Sequence, residues 1–210
     1  LVGSHAGISI GEDGPSQMAI EDIALACALP GFAVVVPADE PSTRAATRAV
    51  VEHDGPAYLR VGRSAVPVVY DGGVPFELGK ANTVRQGGDV TIVANGIMVA
   101  AALDAAEWLS RQGIQARVLD MHTVKPLDED AVLAAARETR GIVVAEEHLH
   151  HGGLGSVVAM AVGRLHPCRM GYVDVGDTYA TSGTAEQLLE HYGLTADRIV
   201  EEATRVAGGG

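Results

Sequence analysis

Positive charge, cysteine and long apolar runs are all scarce in this sequence of 210 residues. With 15 Lys and Arg against 27 Asp and Glu, the formal net charge is -12. That balance argues against a nucleic-acid or anionic-membrane partner, since both demand clustered cations. Any phosphate site must therefore be local. No apolar stretch approaches the roughly 18 residues that a bilayer-crossing helix needs, and no secretory leader opens the chain. The two cysteines, Cys27 inside an apolar helical run and Cys168 after Pro167, exclude a disulfide framework and read as free thiols of a reducing compartment. Together these shortages describe a cytoplasmic globular protein. A starting Met is also missing, and Leu1-Val2 reads as the end of a buried strand, so the chain is expected to begin inside a domain.

What is present is a repeated alternation of strand and helix. An apolar helical run from Met18 to Leu29 stops at Pro30-Gly31, and Phe32 to Val36 is a continuous β-branched strand of the kind covered on both faces. A helix over Ser42 to His53 and a strand over Ala57 to Val61 follow. Pro67, Asp71-Gly72-Gly73 and Pro75 give residues 66–77 the composition of an extended linker. Beyond it come strands at Val90–Ala94, Ala116–Asp120, Ile142–Ala145 and Gly171–Val175. Helices alternate with them at Val99–Gln112, Glu129–Glu138 and Leu154–Arg164. Asp128 is placed to cap a helix, and Thr184 with Gln187 forms a capping box for another that ends at Gly193. A last helix from Thr195 to about Ala207 precedes a glycine tail, residues 208–210. The expected class is α/β: two doubly wound, mostly parallel-sheet domains, residues 1–65 and 78–210, the first incomplete.

The chemistry-bearing stretch lies near the amino end. Glycines and a proline rule out regular structure before Ser16, so Gly11-Glu12-Asp13-Gly14-Pro15 must be an ordered loop that presents side chains. His5, Glu12, Asp13 and Gln17 offer a proton-transfer group, two carboxylates and an amide, suited to gripping a polyhydroxylated ligand. Plainer readings stay open from residue type alone: Asp13 as a turn former, His5 as a solvated loop residue, Gln17 as the first polar residue of a helix capped by Ser16. Arg63 stands just past the carboxyl end of a strand, where open α/β sheets gather ligands, and its guanidinium can offer paired N–H donors to a phosphate. Arg60, on the strand itself, suits an acidic neighbour instead. Two features of the second half tempt further claims. Gly152-Gly153-Leu154-Gly155 resembles a phosphate-cradling turn, but it lacks the full G-x-G-x-x-G spacing and an acidic ribose partner, so close helix packing explains it better. His148, His150 and His151 have no Cys or third spaced ligand beside them and read as a surface loop without a metal.

The string from Gly3-Ser4-His5-Ala6-Gly7 through Glu12-Asp13-Gly14-Pro15-Ser16-Gln17-Met18-Ala19 closely resembles the substrate loop of transketolases. Val36-Pro37-Ala38-Asp39, Tyr58 to Arg63, Val118 to Asp128, and Glu146-Glu147-His148 leading to Gly155 resemble the same family in the same order. The likeness runs nearly end to end, yet spans only the last third or so of a full-length member. It implies the tail of a pyrimidine-binding domain followed by a transketolase C-terminal domain. The implied activity is transfer of a two-carbon ketol unit between sugar phosphates by thiamine diphosphate with a divalent cation, Mg or Ca. On that pattern His5 contacts the sugar near its phosphate end, Asp13 a hydroxyl, and Arg63 the phosphate. Gln17 replaces the histidine of many bacterial and fungal members, as in animal-type and some split bacterial ones. It can hold hydrogen bonds but cannot shuttle a proton, so it orients. The family's metal and diphosphate signature, Gly-Asp-Gly followed later by Asn, does not occur. The resemblance therefore implies that neither cofactor nor metal is held by this chain alone, that the isolated segment is inactive, and that a homodimer or a complementary N-terminal subunit completes it. A subunit of a 2-oxoacid dehydrogenase or deoxyxylulose-phosphate synthase, or a non-catalytic assembly module, is the alternative. The string from His5 to Gln17 argues against the first two.

Overall fold

Two sheets, each closed at one end by an antiparallel strand, organise the chain in the computed structural model, which describes residues 1–208. The first contains β1 (Val2–Gly3), β2 (Ala33–Val35), β3 (Ala57–Arg60) and β7 (Thr123–Lys125), in the order β1-β3-β2-β7. The second contains β4 (Asn82–Arg85), β5 (Val90–Ala94), β6 (Ala116–Asp120), β8 (Gly141–Ala145) and β9 (Arg169–Val173), in the order β4-β6-β5-β8-β9. All pairings are parallel except β2 with β7 and β4 with β6. The helices are α1 (Asp22–Cys27), α2 (Glu40–Glu52), α3 (Met98–Arg111), α4 (Glu129–Glu138), α5 (Leu154–Leu165), α6 (Ala185–His191) and α7 (Ala196–Gly208). None of them is long and apolar enough to cross a membrane. Of the expected tail at 208–210, Gly208 ends α7, and residues 209–210 lie outside the described residues.

Period-two alternation along the central strands explains the layering. Ile92, Val143 and Ala145 face a core filled by α3 and α7, through Ala102, Leu109, Ile199 and Val206. Val93, Ile142 and Val144 face the opposite side, against Val132 of α4 and Val158 of α5. That second core also takes in Ile23, Val34, Val36 and Tyr58, so one apolar layer joins the two sheets. Short polar side chains start the helices. Asp39 and Ser42 cap α2 reciprocally, Asp128 accepts the Ala131 N–H at 3.0 Å, and Thr184 with Gln187 closes the capping box of α6.

Several elements differ from expectation. Helix α1 is half as long as the apolar run, because Met18 is extended and the Ala19 backbone pairs with Ala6 and Gly7. Its far end is stopped by Lys125, whose Nζ donates to the carbonyls of Cys27 and Leu29 at 2.9 and 2.6 Å. Strands β4 and β7 carry no apolar run; β7 crosses over to complete the first sheet, and β9 begins two residues earlier than the apolar pattern suggests. Leu1 and Val2, expected to be buried, lie exposed on the edge strand β1. Residues 61–81 form neither helix nor strand but are pinned: Asp39 Oδ2 accepts the N–H groups of Val69 and Tyr70 at 2.7 and 2.9 Å, and the Tyr70 hydroxyl donates to Asp120 at 2.6 Å.

The junction between the sheets is held by Arg60, which is 4 % exposed. Its Nε donates to Asp22 Oδ2 at 2.7 Å, and its Nη2 donates to Asp22 Oδ1 at 3.2 Å and to the carbonyls of Ala19 and Glu147, each at 2.9 Å. The Tyr58 hydroxyl donates to the same Asp22 carboxylate. The guanidinium outweighs the desolvation of Asp22 and holds its carboxyl below the usual carboxylate range. Breaking a buried pair from one side strands the other charge, at about 3–5 kcal/mol. Arg60→Ala is expected to lose that much stability in chemical denaturation, whereas Arg63→Ala, at a half-exposed pair, shifts it by under about 1 kcal/mol. Equal losses would contradict this account of the junction.

Candidate functional site

The loop that carries His5, Asp13 and Gln17 leaves the first sheet at Ala6 and returns at Ala19. Its base is tied by Ala6 N–H to Val61 carbonyl (3.2 Å) and Gly7 N–H to Ala19 carbonyl (2.7 Å). Between these ties the chain makes two short 3₁₀ turns, Gly11–Asp13 and Pro15–Gln17, separated by Gly14 at φ 80°. Gly14 sits so close to Ser182 that a Cβ would fall 2.8 Å from its hydroxyl. Towards its tip this hairpin meets the segment beyond β3 again: Arg63 Nη1 donates to Asp13 Oδ2 at 3.0 Å and to the Ile10 carbonyl at 3.3 Å. Arg63 and Asp13, fifty positions apart, therefore stand side by side, both about half exposed. Arg63 also lines a cleft of about 340 Å³, with Ser9, Glu12, Ser64, Thr184 and Glu186. His5 is exposed at the foot of the loop with φ 65°, its Nδ1 paired to Ser4 Oγ at 2.8 Å. Gln17 is exposed and makes no side-chain hydrogen bond among the described residues. Neither is in contact with Arg63.

A second cleft, about 390 Å³, opens where the carboxyl ends of β2, β3 and β5 meet and is lined by Val36, Asp39, Arg60, Gly62, Ile97 and Glu147. The buried ionisable groups behind it escaped the sequence reading. Burial pushes the Asp120 carboxyl up to about 7, against the pull of the Tyr70 hydroxyl. Burial likewise pushes the imidazole of His122, stacked on Phe76 with ring centroids 4.0 Å apart, down to about 4.

The glycine turn has its own occupant. Glu146 Oε2 accepts the Leu154 N–H and Oε1 the Gly155 N–H, both at 2.7 Å, so a carboxylate of the chain fills the amide cradle at the start of α5. A Cβ on Gly153 would lie 2.3 Å from that carboxylate. Burial nevertheless lifts the Glu146 carboxyl to about 7, the two backbone donors opposing it. His148, expected on a surface loop, is fully buried: its Nε2 accepts the Ala24 N–H at 3.3 Å and its Nδ1 faces the Leu149 carbonyl at 2.8 Å. His150 Nδ1 pairs with Asp174 at 2.8 Å on the surface. No group of three His, Cys, Asp or Glu side chains among the described residues is arranged to hold a metal ion. One sequence signal could have exposed Glu146, Glu147 and His148 as interior. They follow an unbroken apolar strand directly, with no turn residue between strand and charge.

The signs of these shifts fix a pH dependence. Asp120 and Glu146 bind protons more tightly folded than unfolded, so their contribution is complete below about pH 4 and is lost as pH rises through about 7. His122 has the opposite sign, its contribution present above about 6.5 and lost as pH falls toward 4. Between pH 5 and 8 the two acids dominate, each costing up to about 1.4 kcal/mol per pH unit. Asp120→Asn is expected to flatten the fall in thermal midpoint between pH 5 and 8; a fall parallel to that of the unaltered chain would contradict the assignment.

Comparison with known proteins gives this geometry a family. A family model for the transketolase pyrimidine-binding domain matches residues 1–69, and one for the transketolase C-terminal domain matches residues 79–199. A 6-deoxy-6-sulfo-D-fructose transketolase subunit of Clostridium sp. (strain MSTE9) is 44% identical over 206 residues, covering 98% of this chain and 64% of the relative. A subunit of the apulose-4-phosphate transketolase of Phocaeicola vulgatus is 38% identical over 204 residues, covering 97% of this chain and 65% of the relative. Among solved structures, an inactive β4 tetramer of a split-gene transketolase superposes with a TM-score of 0.89 at 42% identity, covering 99% of this chain and 65% of that one. The chain thus spans slightly less than two thirds of these relatives. With the C-terminal-domain model alone matching more than half of its residues, the chain belongs to the transketolase family.

Proposed function

We propose that this chain supplies the sugar-phosphate contacts of a cytoplasmic transketolase, an enzyme transferring a two-carbon ketol unit between sugar phosphates. In this reading Arg63 holds the phosphate, Asp13 a hydroxyl, His5 the region near the phosphate, and Gln17 orients the substrate by fixed hydrogen bonds. The observation that carries it is the meeting of Arg63 with Asp13 at 3.0 Å. Asp13 and the Ile10 carbonyl engage only Nη1 of the guanidinium. The Nε and Nη2 edge is left for a two-pronged contact to a phosphate, the geometry that suits arginine to such groups. One local cation pair of this kind meets the requirement set by an acidic chain.

Thiamine diphosphate and its divalent cation, Mg or Ca, belong in the same reading to the completed enzyme, supplied with their site by a complementary N-terminal subunit or by the other half of a dimer. The residues present do not fit the diphosphate: the glycine turn that could cradle it is filled by Glu146. The subunits named among the relatives, and the split gene of the structural neighbour, favour a complementary chain.

Two outcomes follow. In the reconstituted enzyme, Arg63→Ala is expected to raise the KM for the sugar phosphate about tenfold or more with kcat little changed, the loss of one charge-assisted contact of about 1.5–3 kcal/mol. An unchanged KM would remove Arg63 from the site. Isothermal titration of the isolated chain with thiamine diphosphate and Mg is expected to show no binding at micromolar concentrations, and a micromolar Kd would overturn the division of labour.

A further inference from the structure

The substrate loop does not hold its own shape; a carboxylate from the second half of the chain sits beneath it. Glu147 follows β8, and its Oε1 accepts the Ser9 N–H at 2.6 Å in a buried contact. The approach requires glycine at position 7, where φ is 77° and a Cβ would fall 1.9 to 2.2 Å from the Glu147 carboxylate. The next peptide is gripped as well, since Ser64 Oγ donates to the Ser9 carbonyl at 2.8 Å. The Glu147 main chain is fixed by Arg60, whose Nη2 reaches both its carbonyl and that of Ala19, the residue closing the loop. Higher up, Gly11 rests against the Gly183 carbonyl and the Ala185 N–H, and Gly14 against Ser182. Burial holds the Glu147 carboxyl above the usual carboxylate range, with Arg60 and the Ser9 and Ile8 N–H groups opposing it in part.

We propose that Glu147 is a positioning residue for the substrate loop: its carboxylate, through the Ser9 amide, sets where Asp13 stands relative to Arg63. Resting on the functional reading above, this gives the second half of the chain a defined part in substrate binding. A hydrogen bond fixed to a buried acceptor orders the Ser9 peptide, and the first 3₁₀ turn extends from there to Asp13 within four residues. Without the acceptor the loop keeps its base ties at Ala6 and Ala19 but loses its central anchor.

The test compares Glu147→Leu, which keeps volume and removes the acceptor, with Glu147→Gln, which keeps both, in the two-chain enzyme. Hydrogen exchange of the peptide covering residues 5–19 is expected to quicken about tenfold in Glu147→Leu, with β5, β6 and β8 unchanged, and to stay within about threefold of the unaltered enzyme in Glu147→Gln. The KM for the ketose phosphate that the unaltered enzyme turns over best is expected to rise about tenfold in Glu147→Leu, with kcat held within about threefold, and to recover in Glu147→Gln. Should Glu147→Leu fail to assemble, Ser64→Ala frees the adjoining Ser9–Ile10 peptide and is expected to quicken loop exchange about threefold. Unchanged loop exchange, or exchange that quickens throughout the chain, overturns the proposal. If Arg63→Ala raises KM and Glu147→Leu does not, the inference fails alone; if neither raises it, the functional reading fails.

Discussion

Everything at the site depends on one buried cation. A guanidinium removed from water is tolerated only when its donors are satisfied and its charge is met. Arg60 meets its charge and engages its Nε and Nη2 donors with groups from three places: the Asp22 carboxylate at the start of α1, the Ala19 carbonyl at the foot of the loop that carries Asp13, and the Glu147 carbonyl beyond β8. Those demands fix the end of the first sheet, the loop base and the second sheet relative to one another. Since Arg63 follows three residues later in extended chain, the burial of Arg60 also decides where Arg63 emerges.

Four carboxylates of this acidic chain are occupied within the fold. Glu146 is spent on the amides opening α5, Asp39 on α2 and the Val69–Tyr70 backbone, Asp128 on α4, and Asp22 on Arg60. Each accepts N–H groups that would otherwise be orphaned, so part of the negative charge that looks like a surface property in the composition is architectural. Around Arg63 the carboxylates are instead half exposed and free to rearrange, as a ligand site requires.

The α/β architecture with two mostly parallel sheets was legible because β2, β5 and β8 are unbroken β-branched runs and helical periodicity fills the stretches between them, two of those helices starting at Asp caps. Strands β4 and β7 were not, being short, polar and defined only by their partners, and α1 lost a turn to pairing at Ala19 that periodicity cannot show. At the site, Asp13 was indistinguishable from an ordinary turn former until the loop's resemblance to a family was weighed, and no spacing rule joins it to Arg63. Glu147 and His148 were missed for a related reason: the only sign of their burial is the lack of a turn residue after β8, and their buried partners, Gly7 and Ala24, lie far away in sequence.

The most direct measurement is a structure of this chain assembled with a complementary subunit, thiamine diphosphate and a ketose phosphate. The account predicts the phosphate within about 3 Å of the Arg63 guanidinium and a sugar hydroxyl on Asp13, the normal hydrogen-bond range. A sugar phosphate bound in that assembly with Arg63 and Asp13 still paired to each other and remote from it would contradict the account.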